Sequence, residues 1–121
     1  MTMAELLAAL AIIAIIAAIA VPSYTEFMER SRRSEGRAAL ADAAARQERF
    51  YQDNKGYAAS LGDLGVTDAS TENGYYALSI PVATSLTFTI RATAAGGQAG
   101  DTDCPQLEID WLDRRTPANC W

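Results

Sequence analysis

Glu5 is the one charged residue in the first twenty-one positions, and behind it Leu6 to Val21 (LLAALAIIAIIAAIAV) runs sixteen apolar residues without a break. A charge within a membrane span costs about 3 kcal/mol near the bilayer centre, so it marks function by default and needs a partner. A simpler role is also open: an acid in the first turn suits the positive end of the helix dipole. The second pair with chemistry is Cys104 and Cys120, the two cysteines of the chain, both within its last eighteen residues. They can close one loop or stand as two unrelated thiols. A bridge over such a loop contributes about 3 kcal/mol in the chain-entropy model and persists in oxidising space. Two cysteines without a histidine cannot complete a four-ligand zinc set unless carboxylates join, so no metal is expected.

Other chemistry is poorly supported. The chain has no histidine, no Gly-rich phosphate loop before a helix and no nucleophile elbow, so no catalytic residue, enzyme activity or cofactor is expected. Asp101, Asp103, Glu108, Asp110 and Asp113 are close in sequence and would suit a hard cation, but acids along a short sheet read as solubilising. With a net charge of -5 and basic residues interleaved with acids, no specific nucleic-acid partner is expected.

The elements that position these groups follow from periodicity. Residues 1–22 form a helix of roughly 30 Å, one hydrocarbon-core thickness, apolar on every side. A signal peptide would need a basic stretch before the apolar run, and none is present. Pro22 removes a backbone hydrogen bond, so a kink or short unwound stretch is expected there. Residues 23–52 read as an amphipathic helix whose packed face carries Tyr24, Phe27, Met28, Ala39, Ala43, Gln47, Phe50 and Tyr51. Glu26 with Arg30, Glu29 with Arg33 and Asp42 with Arg46 stand four apart as exposed pairs. Gly36 is unfavourable inside this helix by about 1 kcal/mol, which points to a bend or a close contact.

Residues 53–74 are rich in Gly, Asn, Asp and Ser and form a loop over the helix, anchored by Tyr57, Leu61 and Leu64. Tyr75 to Ile80, Leu86 to Ala92 and Leu107 to Trp111 alternate apolar and polar residues as strands. Thr93 to Asp103 reads as a flexible turn. The fold class is therefore α+β: a long N-terminal helix, apolar then amphipathic, on a small antiparallel sheet of three or four strands (75–111). The filament-core or membrane helix covers 1–22 and the globular domain 23–121, with the loop between the cysteines at 104–120. Arg30, Arg32, Arg33 and Arg37 follow the span, which by itself would place the domain in the cytoplasm. The cysteines argue the other way, and removal of a short basic leader would reconcile the two.

The segment MTMAELLAALAIIAIIAAIAVPSY resembles the N-terminus of mature type IV pilins. The family's Thr and Glu match Thr2 and Glu5, and its Ala-Ala-Ile-Ala-x-Pro-Ser-Tyr run matches Ala17 to Tyr24. The resemblance implies that prepilin peptidase removes a basic leader, that Met1 is N-methylated, and that Glu5 pairs with the α-amine of Met1 in the adjacent subunit. It implies a C-terminal disulfide between Cys104 and Cys120, an inner-membrane subunit with a periplasmic domain, and a homopolymeric extracellular pilus built by the assembly machinery for adhesion, twitching motility or DNA uptake. A minor pilin, a type II secretion pseudopilin and a DNA-binding competence pilin share the same N-terminal pattern. Met1 stands where Phe is usual and Ala4 where a larger residue is usual. Ala14 replaces a helix-loosening Gly, which shortens the helix break expected around Ala14 and Pro22.

Overall fold

The computed structural model describes residues 2–121, so the methylation and charge pairing expected at Met1 lie outside the described residues. The elements are helix α1 (Met3–Asn54) and strands β1 (Tyr76–Ala83), β2 (Phe88–Ala94), β3 (Gln106–Asp110) and β4 (Arg115–Thr116), with short 3-10 turns at Gly62–Leu64, Gly96–Gln98 and Ala118–Cys120. The backbone divides into two compact units, Met1–Ser31 and Arg32–Trp121.

In the first unit α1 stays helical through Ala14 and Pro22, so no unwound stretch forms in the isolated chain. Pro22 cannot donate to the carbonyl four residues back. Next to it, the Ser23 and Thr25 hydroxyls donate to the carbonyls of Ile19 and Val21 at 3.0 and 3.1 Å.

In the second unit, Gly36, Leu40, Ala43 and Gln47 form the buried stripe of α1, spaced at four, three and four residues. The packed face is therefore turned from the expected one. Ala43 and Gln47 belong to it, Gly36 and Leu40 were missed, and Tyr24 and Phe27 lie exposed in the first unit at 64% and 62%. Gly36 marks a close contact: a Cβ there would lie 3.0 Å from the ring of Tyr76, which is fully buried.

The sheet is an antiparallel meander in the order β1-β2-β3-β4. Its inner face alternates as a half-buried sheet should: Tyr76 on β1, Phe88, Ile90 and Ala92 on β2, Leu107 and Ile109 on β3 are buried against Leu40 and Ala43 of the helix. β1 runs to Ala83, beyond the expected Ile80, with an irregular register between Ser79 and Val82 that accommodates Pro81, a residue with no N–H to give the ladder. β2 begins at Phe88 instead of Leu86, because Thr84 N–H donates to Thr87 at 2.9 Å and places Leu86 at the hairpin tip. A fourth strand, Arg115–Thr116, pairs with Ile109 and Glu108 of β3 inside the segment between the cysteines.

The connecting loop is held by α1 through a side chain that imitates a strand. The buried Gln47 amide donates to the Ala58 carbonyl and accepts from the Ala58 N–H, both at 2.8 Å. Tyr57 stands between Tyr51 and Phe88, with ring centroids 4.9 and 4.7 Å away. The segment from Thr93 to Asp103 is not a free turn: its first two residues extend β2, and Gln98 and Asp101 are buried.

Candidate assembly segment and C-terminal loop

Helix α1 opens with a reciprocal cap that follows from the spacing Thr-x-x-Glu. The Thr2 N–H donates to Glu5 Oε2 at 2.8 Å, and the Glu5 N–H donates to Thr2 Oγ1 at 3.2 Å. Each side chain satisfies a backbone donor that the first turn leaves without a helical acceptor. The structure thus brings Thr2 and Glu5 together, and the simpler of the two roles open to Glu5 is realised within one chain. Behind the cap, Leu6, Leu7, Leu10, Ile12, Ile13, Ile15, Ile16, Ile19 and Val21 are exposed by 48 to 70%. An eighteen-residue window of this helix has a mean hydropathy of 2.7, and it is long and apolar enough to cross a membrane.

At the other end Cys104 and Cys120 are bonded, with Cα atoms 5.9 Å apart, and both are buried. The loop they close is anchored from outside by Asp101, whose carboxylate is almost fully buried. Arg33 Nε and an Arg33 terminal nitrogen each donate to it at 2.7 Å, Gln98 donates at 3.0 Å, and the Cys104 N–H donates at 3.3 Å. The Arg33 hydrogen bond, opposed by burial, holds Asp101 below the usual carboxylate range, and the same bond raises Arg33.

The remaining acids do not converge on a cation. Glu108 accepts from Arg91 at 2.7 Å, Asp110 from Arg114 at 2.7 Å, and Asp113 lies 3.5 Å from Arg115. Among the described residues no cluster of acids and cysteines is disposed to hold a metal ion. Asp101 corrects the reading of all five acids as solubilising, since it lies in the interior as the partner of Arg33. Of the expected helix pairs, Asp42 with Arg46 forms at 2.9 Å, and Arg33 reaches Asp101 at 2.7 Å.

The family model described as "Type IV minor pilin ComP, DNA uptake sequence receptor" matches residues 22–108. The chain belongs to this family of type IV pilins. The pilin also resembles a solved structure, the high-resolution structure of a type IV pilin from Shewanella oneidensis, at 29% identity and a TM-score of 0.59, over 77% of this chain and 97% of that one. No curated protein matches the sequence. The pilin fold is thus shown as helix, four-stranded sheet and C-terminal disulfide. The family match begins at Pro22, so the apolar run Leu6 to Val21 lies before it and the match rests mostly on the second unit.

Two structural residues of this pilin lay outside the packed face expected from the sequence. Arg33 read as half of a helical pair with Glu29, and its partner 68 residues away had no local signal. Gly36 did carry one: an unfavourable glycine inside a helix pointed to a close contact, and Tyr76 supplies it.

Proposed function

We propose that this pilin is a structural subunit of a type IV pilus, held in a bacterial inner membrane by the apolar half of α1 with its domain in the periplasm, then polymerised into an extracellular filament. The observation that carries the reading is the helix of nine large apolar side chains, Leu6 to Val21, each about half exposed or more in the isolated chain. Full burial of one such side chain is worth about 1.5 to 3 kcal/mol. A bilayer first and a bundle of like helices later supply that burial. Removal of a basic leader by prepilin peptidase would satisfy the orientation that the disulfide requires, and it would leave the α-amine of Met1 as the partner of Glu5 in a neighbouring subunit. Mass spectrometry of sheared filaments tests this directly. The chain should be present with a methylated Met1 at its N-terminus; an unmethylated Met1 or retained leader residues would contradict it.

The family match favours a minor subunit placed among other pilins over a homopolymer, and it brings DNA capture forward as the role to test. The charge arrangement weighs against a strong phosphate surface, since Arg33, Arg46, Arg91, Arg114 and Arg115 all lie within 2.7 to 3.5 Å of carboxylates. Phosphate binding there would compete with these pairs. A gel shift across a salt series separates the roles: a DNA receptor should lose affinity steeply as salt rises, with a slope set by the number of phosphates neutralised. Abundance in purified filaments separates major from minor subunit.

A further inference from the structure

Asn73 is followed by Gly74, and an asparagine before glycine is chemically labile because glycine has no side chain to shield its backbone nitrogen from the neighbouring amide carbon. We propose that Asn73–Gly74 is a latent deamidation site that Glu35 holds closed, and that its conversion releases the turn joining the connecting loop to the sheet. In the reaction the Gly74 nitrogen attacks Asn73 Cγ, a C–N bond forms, and the side-chain nitrogen leaves as ammonia with the proton from Gly74. Water then opens the cyclic imide at either carbonyl, giving aspartate or isoaspartate.

The structure opposes the first step at each atom that must move. The Gly74 N–H donates to the Thr71 carbonyl at 2.9 Å, so the attacking nitrogen is held within the turn. The Asn73 side-chain nitrogen and backbone N–H both donate to Glu35 Oε1, at 2.6 and 3.1 Å, which fixes the leaving amide. The other Glu35 oxygen accepts from the Thr71 hydroxyl at 2.6 Å, and Thr71 Oγ1 in turn accepts from the Tyr76 N–H at 3.1 Å, so one carboxylate ties the turn to α1 and to the start of β1. On the far side Gly96 packs so closely that a Cβ there would lie 2.9 Å from the Gly74 carbonyl oxygen. Asn73 is nevertheless exposed, so water reaches it once the turn opens.

The product undoes the clamp. A carboxylate at position 73 replaces the donor that Glu35 now accepts from, setting two negative charges where a 2.6 Å hydrogen bond stood. An extracellular filament subunit is not resynthesised in place, so each converted copy would keep its opened turn.

The test uses the full chain in detergent micelles, aged at mildly alkaline pH, with peptide mapping of ammonia loss and isoaspartate at Asn73 and with Asn54 and Asn119 as internal references. Native protein should react at least about tenfold more slowly than the same chain unfolded in urea. Glu35→Ala should speed the native reaction by about tenfold to a hundredfold, the effect of losing charge-assisted bonds on the open population, with Glu35→Gln between. Equal rates in native and unfolded chains would overturn the proposal. So would a Glu35→Ala protein that keeps its disulfide and sheet amide protection yet reacts no faster than wild type; if that variant does not fold, Glu35→Gln is held to the same criterion. Asn73→Asp should raise hydrogen exchange at Gly74 and Tyr76 while leaving β2 and β3 unchanged, and unaltered exchange at both would refute release of the turn.

Discussion

Arg33 on α1 and Asp101 before the disulfide loop are joined by two hydrogen bonds of 2.7 Å across 68 residues of sequence. Their side chains are 11% and 0% exposed, so the pair lies in the interior. It holds the helix to the stretch of chain that leads into Cys104, whose own N–H also donates to Asp101.

Removing one partner leaves the other charge buried. Asp101→Ala or Arg33→Ala should cost about 3 to 5 kcal/mol, measured by denaturant unfolding of the domain. The double variant Arg33→Met with Asp101→Leu should cost less than Arg33→Met or Asp101→Leu alone. Strict additivity of the two would show that the pair does not act as a unit.

Acid should weaken the fold through the same group. Asp101 sits below its ordinary value of 3.8, through the Arg33 hydrogen bond and against the effect of burial. Glu35 and Asp110 are also lowered: burial opposes the shift, and hydrogen bonds from Thr71 and Asn73 to Glu35, and from the Arg114 backbone and side chain to Asp110, outweigh it. A carboxylate with a lowered value binds fewer protons folded than unfolded, so its contribution is present above the unfolded value and is lost as pH falls through the folded one. Thermal midpoints should be level above about pH 5 and fall below about pH 4. In Asp101→Asn that acid-induced fall should be shallower.

The disulfide should stabilise the domain by about 2 to 5 kcal/mol. Reduction, or Cys104→Ser, is expected to lower the unfolding midpoint and to expose β4, the edge strand that pairs with β3. Hydrogen exchange at Arg115 and Thr116 should rise first. Reactive thiols in native filaments would contradict the bonded state.

Gly36 should resist enlargement. Alanine favours helix by about 1 kcal/mol over glycine, but its Cβ would press on the Tyr76 ring at 3.0 Å, and that ring is buried and bonded to Gln98. Gly36→Ala is expected to be neutral or mildly destabilising, and Gly36→Leu to cost about 1 to 3 kcal/mol or more through overpacking. A stabilised Gly36→Leu protein would mean that Tyr76 moves freely.

Glu5 should govern polymerisation and not insertion. Glu5→Ala removes the acceptor for the Thr2 N–H, a loss of about 1 kcal/mol at the helix start, yet the domain should still fold and form its disulfide. Unpaired charge in a dry filament core costs about 3 to 5 kcal/mol, so subunits should accumulate in the membrane with few filaments. Glu5→Gln keeps the cap without the charge and should be partly impaired. Normal filament numbers from Glu5→Ala at wild-type subunit levels would remove the charge-pairing mechanism.

Local physics made much of this pilin legible. The unbroken apolar run after Glu5, the period of α1 and the alternation in β1 to β3 are signals carried by neighbours in sequence, and they pointed to helix and sheet, while the two cysteines by themselves left a bridge and two separate thiols both open. The clean alternation of Phe88, Ile90 and Ala92 announced β2 and its inward face without knowledge of what it packs against, though the strand itself begins and ends two residues later than expected. Tertiary structure decided which stripe of the helix faces inward, because a face that includes a residue as small as Gly36 looks no more apolar than its neighbours until the Tyr76 ring closes on it. It also decided that Asp101 is an interior ion-pair partner and not a solubilising acid, and that Gln47 reads Ala58. Whether a polar residue is buried depends on a partner brought close only by folding, and no spacing along the chain announces that partner.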